Sequence, residues 1–260
     1  MLRNTITGVG ASDITNNGSI IQDQIFASNI TNNGSITGGS ASGGITNSGS
    51  ITGCQVSGSI TNNATGTIKD SGLTAGNITN NGSITGGNLL SSSGDITNNG
   101  SITAGEVYDV SGTFTNTGTI TILYNGEFAG ISNTDSISGD GQLLSSGATI
   151  NNGSVNSASL QTGSITNNAT GMITICTIDA NSGDITNDGS ITGGSLQASS
   201  GDITNNGSIT QVFEVYAASG TLTNNGTITQ AGEVYAASGT SRTLVLSPPS
   251  VLVRSVVPLA

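Results

Sequence analysis

Histidine and tryptophan are absent from this 260-residue chain, and lysine and arginine together number only four: Arg3, Lys69, Arg242 and Arg254. Nucleic acid is therefore excluded as a partner, because neutralising phosphates takes clustered cations. Sites that cleave polysaccharides gather carboxylates with basic residues or imidazole in a groove. With those ingredients missing, no catalytic residue is expected and the chain is read as non-enzymatic. Charged residues make up 7% of the sequence, and 15 acidic side chains set the net charge at −11. So low a charge density argues against electrostatic steering of a partner.

No run of 18 apolar residues occurs, so no membrane span is expected. The start, Met1-Leu2-Arg3-Asn4-Thr5, lacks the apolar run of a secretory signal. That leaves export by another route, a mature or excised piece, or a protein never secreted by that path. The two cysteines, Cys54 and Cys176, lie several repeat copies apart. Stacked copies would hold them far beyond the roughly 7 Å that a disulfide spans. Each is expected to fill an inward or corner position as a small apolar residue. Aromatic residues amount to 3%, which suits a narrow core.

What the chain does have is glycine, 40 in all, with abundant serine, threonine and asparagine. Such polarity is compatible with disorder. Isoleucine, leucine and valine, however, return at fixed places, which a disordered chain has no reason to keep. The segment Ile-Thr-Asn-Asn-Gly-Ser-Ile begins at Ile14, Ile30, Ile78, Ile96 and Ile203, and looser copies begin at Ile45, Ile60, Phe114, Ile131, Ile150, Ile165, Ile185 and Leu222. A period of 15–20 residues means one coil of a stacked array.

Each copy carries three apolar anchors between polar neighbours: Ile78, Ile84 and Leu89; Ile96, Ile102 and Val107; Ile150, Val155 and Leu160; Ile185, Ile191 and Leu196. A residue pattern of period two describes a strand with one buried face. Three such strands per copy predict an all-β fold, a single-stranded parallel β-solenoid (β-helix) of about thirteen three-sided coils. The steps Ile185 to Ile191 to Leu196 to Ile203 are 6, 5 and 7 residues. That irregularity favours a right-handed coil over the left-handed coil of a strict hexapeptide repeat. The predicted organisation is residues 1–13 as an N-terminal segment or first coil, 14–239 as solenoid, and 240–260 as an apolar C-terminal segment. Asn-Asn-Gly is expected to turn the corners through positive φ, with Asn17, Asn33, Asn81, Asn99, Asn206 and Asn225 hydrogen-bonded in a column.

The stretch Gly220-Thr221-Leu222-Thr223-Asn224-Asn225-Gly226-Thr227-Ile228-Thr229 resembles the repeats of bacterial autotransporter passengers and filamentous-haemagglutinin-type adhesins. The resemblance covers about nine-tenths of the chain. It implies a right-handed β-helix displayed extracellularly or at the cell surface.

Three features interrupt the repeat. Glu106-Val107-Tyr108, Glu127-Phe128, Glu214-Val215-Tyr216 and Glu233-Val234-Tyr235 hold all four glutamates. Tyr216 and Tyr235 should stack one coil apart, so Tyr108, Tyr216 and Tyr235 form either an aromatic ladder or a contact patch for a neighbouring copy or a surface glycan. Asp13, Asp95, Asp184 and Asp202 precede the first anchor. Asp184 and Asp202 are the nearest thing to a Ca²⁺ pair, but they are read as solvated outward groups, with no metal and no cofactor. From Thr240 onward the Asn-Gly pattern stops. Leu244, Leu246, Val251 and Val253 then form either a cap or a strand that docks on the next subunit.

Non-enzymatic structural or adhesive function at a surface is the leading expectation, with copies joining head to tail into an extracellular fibre. One alternative is an ice-binding protein using the outward Ser/Thr-x-Thr ladder at Thr37, Thr52, Thr85, Thr103, Thr121, Thr192, Thr210 and Thr229. Another is a segment of a phage tail fibre or spike.

Overall fold

The structure is a computed structural model that describes residues 12–237 together with short strands at Ile6–Thr7, Ser241–Arg242 and Leu252–Val253. Leu244, Leu246, Val251 and the side chain of Cys176 lie outside the described residues. The described residues form strands and turns with no helix, and no helix is long and apolar enough to cross a membrane. They fall into two units, one reaching to Phe128 and the other starting at Ala129.

Both units are built from the same coil, about 12 turns in all, with parallel strands stacked about 18 residues apart. Every turn gives one strand to each of three faces. On the first face Ile-Thr-Asn pairs in register with its successor, as in Ile78 with Ile96 and Ile185 with Ile203. The second face stacks Ser-Ile-Thr, as in Ile84 on Ile102 and Ile191 on Ile209. On the third face Leu89 stacks on Val107 and Leu196 on Val215. Ile78, Ile84, Leu89, Ile185, Ile191 and Leu196 are all at most 1% exposed. β-Branched residues suit these pleated positions, and full burial of each contributes about 1.5–3 kcal/mol before entropy is subtracted.

One anchor falls out of phase. Ile150 is 42% exposed, and Thr149 takes its place inside at 1%. Thr149 aligns with Ile131 and Ile165. Strand alternation explains the shift. Asn151 is held inward, so residue 149 points inward with it and residue 150 points out. Thr149 satisfies its buried hydroxyl against Thr162 Oγ1 at 3.0 Å.

The corners also differ from expectation. The third residue of Ile-Thr-Asn points inward as the chain turns, and these asparagines form a buried ladder. In the first unit Asn32 Nδ2 donates to Asn47 Oδ1 at 2.7 Å, Asn62 to Asn80 at 2.8 Å and Asn98 to Asn116 at 2.8 Å. In the second, Asn151 donates to Asn167 at 2.8 Å and Asn205 to Asn224 at 2.7 Å. The same Nδ2 atoms also reach backbone carbonyls; Asn98 donates to Thr119 O at 2.9 Å and Gly100 O at 3.3 Å. The expected column of second asparagines exists too, exposed and shorter, as in Asn33 to Asn17 at 3.0 Å and Asn99 to Asn81 at 2.8 Å.

Positive φ is not what the Asn-Asn-Gly corner requires. Glycine is needed there because coils approach closely: a Cβ on Gly207 would sit 2.1 Å from Gly189 O. Positive φ occurs at the next corner, after Ser-Ile-Thr, at Gly38, Gly53, Gly86 and Gly193. Gln22, Asp70, Gln211 and Gln230 hold the same left-handed conformation, with φ of 55°, 49°, 56° and 54°. For these residues it costs about 1–2 kcal/mol.

Two sets of substitutions test this account. Asn98→Ala removes one acceptor of Asn80 Nδ2 and the donor to Asn116 Oδ1, Gly100 O and Thr119 O, and should cost about 3–5 kcal/mol in urea unfolding. Asn98→Asp should become more destabilising as pH rises, because a carboxylate would face Asn116 Oδ1. Gly207→Ala should cost about 2–4 kcal/mol. Gln211→Gly should leave stability unchanged or raise it by up to about 1 kcal/mol, since relieved strain offsets the added chain entropy.

Candidate functional surfaces

The outward hydroxyls of the second face line up across coils. In the first unit Thr37 aligns with Thr52, then Lys69, Thr85 and Thr103. In the second unit Thr192, Thr210 and Thr229 align, and Thr121 lies near the start of the strand Thr119–Asn133. The column is broken: Ile21 precedes Thr37, and Lys69 stands where the pattern calls for threonine. Within one strand the hydroxyls turn toward each other, with Ser35–Thr37, Ser50–Thr52 and Ser83–Thr85 oxygens each 3.4 Å apart.

The third face carries the acidic and aromatic inserts. Tyr216 and Tyr235 stack as expected, with ring centroids 4.4 Å apart and planes tilted by 30°. The Tyr235 hydroxyl donates to Glu214 one coil below. That hydrogen bond to a carboxylate, helped by burial and the negative charge, pushes the Tyr235 hydroxyl up to about 12. Phe213, which the sequence reading passed over, lies beside this patch and is 77% exposed. Tyr108 belongs to the other unit, where it stacks on Leu90 rather than on a tyrosine. Burial and neighbouring Glu106 raise its hydroxyl as well. Val253 extends the third face within the chain, its backbone pairing in parallel with Val234.

The first unit's third face also holds a groove of about 630 Å³. Its cause lies in one outward column that runs Gln55, Gly72, Asn88, Glu106. At Gly72 the column lacks a side chain, and the Gln55 amide reaches over the glycine, its Oε1 2.7 Å from where a Cβ would sit. The neighbouring outward column, Thr74, Leu90 and Tyr108, forms the opposite wall. Asn88 Nδ2 donates to Glu106 Oε2 at 2.8 Å. Asp70 lies at the groove's end, 3.9 Å from the Lys69 ammonium.

The aspartates that precede the first anchor are exposed and outward, as expected, and each also accepts a hydrogen bond from a neighbouring coil. Asp95 Oδ1 accepts from the Thr113 amide at 2.9 Å, Asp184 Oδ1 from the Asp202 amide at 2.8 Å, and Asp202 Oδ1 from the Thr221 amide at 2.6 Å. Each carboxylate holds a backbone N–H of the following coil where the strand ladder has not yet begun. At the first of these positions Asp13 Oδ1 instead accepts from Asn29 Nδ2 at 2.8 Å. Among the described residues no three His, Cys, Asp or Glu side chains gather closely enough to hold a metal ion.

Two buried groups remain. Cys54 is 1% exposed with its Sγ 3.3 Å from both Gly38 O and Thr52 O, and burial pushes its thiol up. Asp109 escaped the sequence reading and is fully buried. The signal was its parity with Val107 on one strand. Its carboxylate accepts from the Ile96 amide at 3.1 Å and the Gly112 amide at 3.2 Å. Burial raises its pKa, those two bonds oppose the rise, and the Asp95 charge adds to it.

No protein-family model matches the chain, and no curated protein or solved structure matches it either.

The raised Asp109 pKa fixes a sign. The folded state holds this proton more tightly than the unfolded chain, so Asp109 favours folding at low pH. That advantage is lost as pH rises from the ordinary carboxylate range through the raised value. Relative to Asp109→Asn, the wild type should therefore lose stability between pH 4 and pH 7, as measured by urea midpoints across about that range.

Proposed function

We propose that this protein is a non-enzymatic structural and adhesive component of a surface, whose copies join end to end into an extracellular fibre. The observation that carries the reading is the strict register of the coils. Strand, ladder and corner repeat with the same pairing, so the contact between one coil and the next is the same contact many times over. A second copy presenting its first coil to the last coil of another would meet the interface the chain already uses internally.

The ends support this reading. Ile6–Thr7 pairs in parallel with Ile25–Phe26, Ser241–Arg242 with Leu222–Thr223, and Leu252–Val253 with Glu233–Val234. Those terminal strands therefore follow the path of the coil, the geometry in which a further strand can add to a sheet edge. The ladder is polar as well. Inward amides such as those of Asn16, Asn47 and Asn187 donate toward the following coil, which gives a stack a direction and favours head-to-tail joining.

Ice binding is the weaker reading. Lys69 interrupts the hydroxyl column with a side chain 63% exposed, and paired Ser and Thr oxygens 3.4 Å apart satisfy each other instead of ordering water.

Negative-stain microscopy with sedimentation at several concentrations tests the fibre. Filaments should lengthen with concentration, and removal of residues 240–260 should abolish them while leaving a folded subunit by circular dichroism. Single subunits at every concentration would sink the proposal.

A further inference from the structure

The geometry points to the third-face groove of the first unit as a binding site for a neutral pyranose sugar. This deepens the adhesive reading above and rests on it, supplying a site and a ligand class.

The groove has the size of a small-ligand pocket, about 630 Å³. Gly72 is its floor. Gln55 and Asn88 come from the coils on either side of it; the Gln55 amide reaches over the glycine, and the Asn88 amide turns toward Glu106. Amides offer both donors and acceptors. Thr74 adds a hydroxyl, and the Asp70 carboxylate adds an acceptor. Leu90 and the Tyr108 ring make the apolar wall. A pyranose has the matching split: hydroxyls around its edge that give and take hydrogen bonds, and a C–H face that packs on an aromatic ring.

Other ligand classes fit less well. Asp70 and Glu106 repel a phosphate or carboxylate, and the one nearby cation, Lys69, already faces Asp70. A cation would use the Tyr108 face and the carboxylates but leave the Gln55 amide donors idle.

The floor also supplies a clean way to close the site. Gly72 has no left-handed φ, and a Cβ there would meet only the end of the Gln55 side chain, with Gln55 Oε1 at 2.7 Å. Gly72→Gln should thus fold, push the flexible Gln55 amide aside and fill the groove with a second outward amide.

The test is calorimetric titration and ligand-detected NMR with glucose, galactose, mannose and N-acetylglucosamine. At least one should bind with a millimolar Kd, a weakness typical of small polar ligands. Tyr108→Ala and Gly72→Gln should each weaken it by about tenfold or more. Tyr235→Ala, in the other unit, should leave it unchanged. The inference is overturned if none of the four binds below about 20 mM, if binding survives both groove variants, or if tetramethylammonium binds where the sugars do not. Microscopy of the same variants separates the two readings. Filaments without sugar binding remove the site alone, and sugar binding without filaments removes the fibre alone.

Discussion

A carboxamide buried at every turn is the interaction on which this fold depends. An asparagine in an apolar interior is costly unless its donors and acceptor are all met. Here Nδ2 of Asn16, Asn47 and Asn205 reaches the Oδ1 of the next coil at 2.7–2.9 Å, and the ladder amides reach backbone carbonyls besides. A carboxamide column repeats at the strand spacing, so the ladder and the three parallel sheets reinforce one another. Breaking one member leaves two others unsatisfied, which is why the third residue of each copy is so constant while the fourth varies through Asn17, Ser48, Thr117, Thr134 and Asp188.

The same constraint explains what is allowed to vary. Successive ladder asparagines are 15 to 20 residues apart, yet their bonds barely change length. At two corners the chain inserts Ala64-Thr65 and Ala169-Thr170, and the own-coil bond moves to a glycine four residues on: Asn62 to Gly66 O and Asn167 to Gly171 O, both 3.1 Å. Coil length is absorbed in loops and corners because the ladder cannot absorb it.

With the interior so specified, the outside is free to carry function. The first face shows mostly threonine, the second serine and threonine, and the third the glutamates, glutamines and tyrosines that have recognition chemistry. Fibre formation would use the stack's axis and its open strand edges. Ligand recognition would use the third face, where the groove is lined by amides, Leu90 and Tyr108. The two roles draw on different surfaces, so neither limits the other.

The coil itself was legible in the residues, because Ile-Thr-Asn and Ser-Ile-Thr alternate with period two and return at an interval only a stacked array explains. Stacking of Tyr216 on Tyr235 was legible for the same reason. The inward asparagine was hidden because two adjacent asparagines look alike, although parity with the preceding isoleucine singles out the first. Ile150 misled because apolar character suggested an inward place that the phase set by Asn151 denies it. Corner conformation, the buried Asp109 and the Gln55 amide that reaches over Gly72 belong to the stack alone. They follow from which residue of one coil lands on which of the next, and with coils of 15 to 20 residues no local pattern counts that out; the interlocked hydrogen bonds between coils do.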